Sequence, residues 1–193
     1  MEIAKGIKAT DYKKLDLSDY KNPDWDLAFG YLSQRLEDRY IEPAEVLRNA
    51  EQSLSPSKKK YGFTILAIDC LLCETLQCFY EGRIVSNGSK AVFARFLMQR
   101  TNFSPFFTSK SEAEDFYTNF RCGILHQAQT QGKTKIYAVG SLISKHDGYT
   151  IVNRERFHEY VKKEKQIYLD LLKARANTKL LRYFKTKMDA IAQ

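Results

Sequence analysis

The segment from Tyr61 to Tyr80 is the most apolar part of this sequence. As a helix it would carry apolar side chains on more than one face, which predicts a central helix packed among other elements. Gly82 follows the segment and is suited to end a helix. Asp69 and Glu74 interrupt the apolar pattern. Because a buried carboxylate is costly without a partner, one or both acids should meet a cation or a backbone donor from another helix. The alternative is that each side chain reaches the surface.

The remainder of the chain is also typical of helices. Gly and Pro are scarce, at 9 and 4 of 193 residues, and apolar residues recur at helical spacing. This pattern predicts further helices at residues 25–40, 43–54, 89–99, 111–127, 154–173 and 176–191. Two β-prone segments flank the turn residues 146–148 and predict a small inserted β-hairpin near residues 135–152. The predicted fold is mainly all-α, with an N-terminal arm of little regular structure over residues 1–22 and a single helical domain over residues 23–193.

The four cysteines raise the question of thiol or metal chemistry. Cys70 and Cys73 have CxxC spacing, Cys78 lies in the same apolar segment, and Cys122 is elsewhere. No second CxxC and no His pair with ligand spacing accompanies them. The sequence therefore predicts buried free thiols that pack as small hydrophobic side chains, and no metal or other cofactor. A thiol or metal protein is the alternative, and it requires these thiols to be exposed.

The net charge indicates a class of partner. The chain carries a formal net charge of +8, and residues 154–187 contain 11 Lys or Arg against 4 Asp or Glu. A concentration of positive charge favours a polyanionic partner such as RNA, although a solvated helix face has the same composition. The N-terminus lacks an apolar signal core, and no uninterrupted apolar run reaches the roughly 18–20 residues of a membrane span. We therefore expect a cytoplasmic protein with no membrane partner.

A pair of chemically active residues lies near the end of the helix predicted at residues 111–127. Ser111 and Glu114 would begin that helix as a capping box, and Arg121 and His126 lie five positions apart near its end. A guanidinium is a permanent planar clamp for phosphate. An imidazole gives and takes protons near neutral pH. The pair therefore predicts RNA cleavage without a metal, with Arg121 binding the phosphate and His126 acting as general base or acid.

The proposed reaction is attack of an RNA 2′-OH on the adjacent phosphate, leaving a 2′,3′-cyclic phosphate and a 5′-OH. DNA lacks the nucleophile and should not be cut. Positions five apart on a helix differ by about 140° in direction, so Arg121 and His126 of one chain do not share a narrow face. They could still line one cleft if two copies of the helix met near a two-fold axis, with both chains contributing an arginine and a histidine.

Other residues around this pair have two interpretations each. His126 could instead complement the helix dipole and cap a carbonyl. Tyr117 lies one turn before Arg121 and either packs in the core or stacks on an RNA base. Glu74 or Asp69 could orient Arg121 or His126. The other two histidines, His146 and His158, are predicted to lie at the surface, and Gly123 would permit close approach of another helix.

About six or seven helices, a long apolar element and the Arg-x4-His spacing of Arg121 and His126 resemble the HEPN superfamily. The resemblance implies an up-and-down helical bundle, a dimer-shared site and a metal-independent endoribonuclease of toxin or phage-defence biology. An antitoxin or regulatory protein would be a further partner. The residue after the arginine is usually polar in active members, but here it is Cys122, and a thiol is a weak hydrogen-bonding group. The alternative is a non-catalytic HEPN-like module that binds RNA or a protein partner.

Overall fold

The computed structural model describes residues 1–193 and shows a mainly helical protein, as predicted. The α-helices are α1 (Ala9–Lys13), α2 (Asp24–Leu36), α3 (Glu42–Ala50), α4 (Gly62–Glu81), α5 (Ser89–Gln99), α6 (Lys110–Phe116), α7 (Gly123–Gln127), α8 (Arg154–Ala174) and α9 (Thr178–Ile191). Two segments are π-helical, Glu37–Ile41 and Tyr117–Cys122, and one is 3-10 helical, Pro56–Lys58. The strands are β1 (Glu2–Ala4), β2 (Ile7–Lys8), β3 (Thr134–Tyr137), β4 (Ile143–His146) and β5 (Tyr149–Asn153).

Helix α4 is the central element, which confirms the prediction from its composition. It packs against α3, α5, α8 and α9, and most of its side chains are buried. Gly82 ends the helix in the left-handed region with φ of 65°, where an L side chain would be strained. By length and composition α4 is also the one helix that could cross a membrane, but most of it is buried inside the fold. Its apolar character is therefore accounted for by its position in the core.

The N-terminal segment is structured, so the prediction of little regular structure over residues 1–22 is wrong. Strands β1 and β2 pair antiparallel and α1 follows directly. Ile3 and Tyr12 are buried in the same core as α2 and α9. The Tyr12 hydroxyl donates to Asp189 at 2.9 Å, and Arg35 donates to the Ile3 carbonyl at 2.6 Å. A few apolar side chains anchor this segment, although its overall composition is polar.

A wide helical turn carries the chain past Pro43. The π-helical segment Glu37–Ile41 joins α2 to α3, and the amide of Glu42 donates to the carbonyl of Glu37, five residues earlier. Pro43 has no amide to donate and lies in the first turn of α3. The chain therefore stays helical past this proline, because the π-helical turn joins α2 to α3 without a loop.

The small sheet differs from the predicted hairpin. Its strand order is β3-β5-β4, with β4 and β5 antiparallel and β3 parallel to β5. The turn at Asp147 and Gly148, both with positive φ, joins β4 to β5 and not the two strands that were predicted to pair. Strand β4 was missed because Ile143-Ser144-Lys145-His146 lacks a β-prone composition. Asn153 caps α8 by accepting from the amides of the next helical turn, as its side chain is suited to do.

Candidate functional site

The Arg121 segment lies in an irregular helix. Ser109 caps helix α6, and its hydroxyl oxygen accepts from the amide of Glu112 at 3.2 Å. The predicted capping box at Ser111 is therefore wrong, since that residue already lies inside the helix. The π-helical segment Tyr117–Cys122 follows, and the Gly123 amide bonds to a carbonyl five residues earlier. Single π-helical turns occur often at functional sites because they displace side chains from the regular helical positions.

Arg121 is held by a carboxylate of the central helix. Its Nε donates to Glu74 Oε1 at 2.6 Å, and the Arg121 and Glu74 side chains are only 14% and 8% exposed. The Ser86 hydroxyl donates to the other Glu74 oxygen at 3.3 Å. The expectation that a buried acid of α4 meets a cation from another helix is confirmed for Glu74. Ser86 was not predicted, because nothing in a turn serine marks it as a partner of a carboxylate.

The charge of Arg121 is stabilised from two sides. Burial disfavours the charged guanidinium, but the Glu74 carboxylate outweighs this effect and the pKa of Arg121 is raised. The guanidinium carbon also lies 5.1 Å from the centroid of the Tyr117 ring, within cation–π range. Tyr117 itself is buried in the core, and burial raises the pKa of its hydroxyl. Tyr117 therefore packs in the core, which is the first of its two predicted interpretations.

The guanidinium remains open at its other end. The Arg121 contacts to Glu74 involve Nε, while the two terminal nitrogens have no hydrogen-bond partner in the chain and are not enclosed by it. A cleft of about 170 Å³ beside Glu74 is lined by Ser86 and Lys187, but Arg121 does not line it. A guanidinium fixed at Nε presents its terminal N–H groups in a defined direction, which is the geometry that binds phosphate oxygens.

His126 is not brought to Arg121 within one chain. Arg121 turns inward to α4, whereas His126 is exposed in the last turn of α7 and makes no hydrogen bond or ion pair. The capping interpretation of His126 therefore has no hydrogen bond to support it. Ala128, with φ of 54°, ends the helix instead. Cys122 is half-buried and packs against the core.

Gly123 allows the chain to fold back on this helix. A Cβ at Gly123 would lie 2.5 Å from the carbonyl oxygen of Gln129, a separation that real Cβ atoms do not adopt. The Gln131 amide then donates to the Asn119 carbonyl in the π-helical segment at 2.8 Å. The close approach predicted at Gly123 therefore exists, but the approaching segment is the loop after α7 and not another helix.

We expect Gly123→Ala to lower the free energy of unfolding by about 1–3 kcal/mol, because the added methyl group displaces the backbone at Gln129. Denaturant unfolding measures this change. The control is Gly30→Ala, since Gly30 lies in a helix with no atom within 4 Å of the added Cβ. That variant should be unchanged or more stable by about 0.5–1 kcal/mol. Equal destabilisation of both variants would contradict the steric explanation.

Asp69 pairs with a histidine other than the one expected. Its Oδ1 lies 2.7 Å from Nδ1 of His158, and both side chains are fully buried between α4 and α8. The prediction that His158 lies at the surface is therefore wrong, and Asp69 does not orient Arg121 or His126. Burial raises the pKa of Asp69, and the hydrogen bond to His158 only partly offsets this effect. His146 is exposed, as predicted.

Glu45 of α3 extends the Asp69–His158 pair into a polar network. Its contribution to stability is expected to depend on pH. Its carboxylate lies 3.4 Å from His158 Nε2 and pairs with Lys162 and Arg48. Burial by itself would raise the pKa of Glu45, but the Lys162 hydrogen bond and the Arg48 charge outweigh it and the pKa is lowered. Such a carboxylate stabilises the fold above the unfolded-state pKa of about 4.3, and the contribution is lost as pH falls through the folded-state pKa.

We expect the melting temperature to fall as the pH is lowered from about 5 to about 3, and to fall by less in Glu45→Gln, which cannot lose a charge. Calorimetry across this range measures the difference. The control is Glu42→Gln, because Glu42 is exposed on the same helix and makes no ion pair. If Glu45→Gln shows the same pH dependence as the wild type, the network does not contribute to acid sensitivity.

The cysteines of α4 pack as predicted. Cys70, Cys73 and Cys78 are free and buried. Burial raises the pKa of the Cys70 and Cys73 thiols well above the ordinary value. No group of three His, Cys, Asp or Glu side chains is arranged to hold a metal ion. The exposure that a thiol or metal protein would require is therefore missing at Cys70 and Cys73.

Much of the positive charge near the C-terminus is paired inside the chain. Five of the 11 basic residues of segment 154–187 contact carboxylates, namely Arg154 with Glu51, Lys162 with Glu45, Lys165 with Glu37, Arg175 with Asp26 and Lys185 with Asp189. The sequence count therefore overstates the positive field of this segment. The remaining lysines and arginines are the ones available to a polyanion.

Comparisons of this chain with protein-family models, with curated proteins and with solved structures give no match. The assignment of a function therefore depends on the side chains just described and their geometry. The arrangement has two parts: an arginine anchored by a buried glutamate, and an exposed histidine at the end of the same irregular helix.

Proposed function

We propose that this chain is a metal-independent endoribonuclease of HEPN type. The observation that supports this proposal most is that the Arg121 guanidinium is fixed at one end and free at the other. Its Nε is fixed by the buried Glu74, while its terminal nitrogens have no partner in the chain. A guanidinium that binds an RNA phosphate requires free terminal N–H groups, and water can satisfy those of Arg121 until RNA binds.

The proposed chemistry divides between two residues. Arg121 binds the scissile phosphate and stabilises the negative charge that develops in the transition state. His126 accepts the proton of the attacking 2′-OH or donates one to the leaving oxygen. Because His126 is exposed and Arg121 turns inward, the complete site forms where two copies of α7 meet, with both chains contributing. The active form is therefore a homodimer.

The biological setting follows from the resemblance to HEPN proteins. The proposed enzyme acts in the cytoplasm as a toxin or phage-defence ribonuclease, with an antitoxin or regulatory protein as its partner. RNA is attracted by those basic residues of α8 and α9 that are not paired with carboxylates.

A second candidate is a non-catalytic helical module that binds RNA or a protein. Two observations favour it: the Arg121 charge is already balanced by Glu74, and the position after the arginine is the half-buried Cys122. No group in the chain orients His126 for proton transfer. In this alternative, Arg121 has a structural role and His126 belongs to a binding surface.

Incubation of the purified protein with RNA in excess EDTA tests the proposal. We expect cleavage that leaves 2′,3′-cyclic phosphate ends, no cleavage of DNA of the same sequence, and a dimer in solution. Arg121→Ala should lose this activity. Its control is Arg95→Ala, because Arg95 Nε also donates to a carboxylate, that of Glu81, at 2.6 Å. A folded dimer that leaves varied RNAs intact would favour the binding module.

A further inference from the structure

One edge of the small sheet has unpaired backbone groups. The strand order places β3 at an edge, where it pairs only with β5. The Lys133 carbonyl accepts from the Thr150 amide at 2.9 Å, so alternate residues from Lys133 onward bond to β5. The backbone N–H and C=O of Ile136 therefore point away from β5, and no hydrogen bond outside the ladder involves them. A strand edge of this kind can accept a further strand.

The free edge of β3 borders an apolar groove. The groove has a volume of about 460 Å³ and lies between β3, the loop before α4 and the first turn of that helix. Phe63, Tyr137 and Val139 line it and are 40%, 45% and 54% exposed. Three large apolar side chains thus lie together at an open surface, which is typical of a site that binds another protein.

The chain segments that form the groove are positively charged. Residues 52–68 and 128–146 include the loop, the start of α4 and strand β3, and they contain six lysines and no Asp or Glu. Lys59 contacts Glu155 of α8 at 3.7 Å, but Lys60 and Lys135 are exposed and make no ion pair. A partner at this surface therefore has to supply negative charge. A second copy of this chain pairing through the same edge would bring lysines against lysines.

The backbone edge distinguishes an acidic peptide from a nucleic acid. A row of phosphates offers acceptors alone, so it can pair with the Ile136 N–H but not with the Ile136 carbonyl. An extended peptide supplies both a donor and an acceptor. Because side chains alternate along a strand, one set enters the groove against Phe63 while the other set lies beside the lysines.

We propose that β3 accepts an extended acidic segment of a partner protein as a further strand. Apolar side chains of that segment occupy the groove, and its carboxylates lie beside Lys60 and Lys135. The groove is separate from the Arg121 site, because Gly62 and Glu74 are 12 positions apart on α4, which corresponds to about 18 Å along the helix. This inference does not depend on the proposed ribonuclease activity, since none of its residues belongs to that site.

Titration calorimetry of the full chain with a capped hexapeptide of alternating glutamate and valine tests the proposal. We expect saturable binding, and an affinity lower by about tenfold or more when lysine replaces the glutamates. Peptides that are N-methylated at the valines or at the glutamates test for strand addition, because each methyl group removes an N–H donor. Only one of these two sets of N–H groups can face β3, so one of the two peptides should lose about tenfold or more in affinity.

Variants of the protein test whether the peptide binds in the groove. Phe63→Ala/Tyr137→Ala should lower the affinity for the acidic peptide by about tenfold or more. Its control is Leu27→Ala, which changes an exposed apolar side chain of α2. Lys60→Glu should lower the affinity by about fivefold. Its control is Lys179→Glu, since Lys179 is an exposed lysine of α9 that makes no ion pair.

Hydrogen exchange at the Ile136 amide detects the added strand directly. Saturating acidic peptide should slow this exchange by about tenfold or more, and should leave the Lys135 amide unchanged because it already faces β5. The proposal is overturned if the peptide shows no saturable binding up to about 1 mM, or if exchange at Ile136 does not change. It is equally overturned if an oligothymidylate, which the proposed ribonuclease cannot cut, binds as tightly as the acidic peptide. The groove would then attract polyanions in general.

Discussion

His126→Ala is expected to lower the rate of RNA cleavage by about 10²–10⁴-fold, the usual contribution of a general acid or base. The melting temperature should stay near that of the wild type, because the His126 side chain is exposed and makes no hydrogen bond in the chain. Cleavage rates on a defined RNA, measured beside thermal unfolding of the same preparation, give both quantities.

The matched control is His146→Ala, since His146 is also an exposed histidine but lies in strand β4. It should retain full activity. Two results would contradict the catalytic role of His126. One is an unchanged cleavage rate. The other is a loss of activity in proportion to a loss of about 0.5–2 kcal/mol of stability, which is the size of a capping or dipole effect.

Arg154→Met is expected to lower the free energy of unfolding by about 3–5 kcal/mol, because it leaves the charge of Glu51 buried without its cation. The Arg154 and Glu51 side chains are 3% and 0% exposed, so water cannot replace the lost partner. For a chain of this length the change corresponds to a drop of about 6–20 °C in melting temperature.

Two further variants separate the buried charge from the loss of side-chain packing. Arg156→Met changes an exposed arginine of the same helix and should have little effect. Arg154→Met combined with Glu51→Gln removes the unpaired charge, but the amide oxygen can still accept from Lys60 and Tyr61, as the carboxylate does. The double variant should regain part of the stability. If it is no more stable than Arg154→Met alone, lost packing and not the buried charge is the cause.

Features that depend on neighbouring residues were predicted well from the sequence. The apolar side chains on more than one face of α4 predicted its central position, and Gly82 ends that helix as predicted. Helix α5 has the predicted bounds. Each of these depends on interactions within about one helical turn or on the burial of one element.

Local patterns also produced errors where two similar signals compete. Ser109 and Ser111 are both suited to cap α6, and the structure uses Ser109. The turn at Asp147 was located correctly, but strand β4 before it was not. In each case the packing of the segment on the rest of the fold decides which signal is used. Local propensity carries no information about that packing.

The sequence by itself determined that α4 is a buried helix and that Asp69 or Glu74 would need a partner if its carboxylate were buried, because periodicity and the cost of a buried charge are properties of the segment alone. Only the tertiary structure decided which partners they have. Glu74 meets Arg121 across 47 residues, and Asp69 meets His158 across 89. Several cations and histidines could have served either acid. The packing of α4 against α8 and against the π-helical segment selects among them, since an ion pair forms only where two helix faces meet.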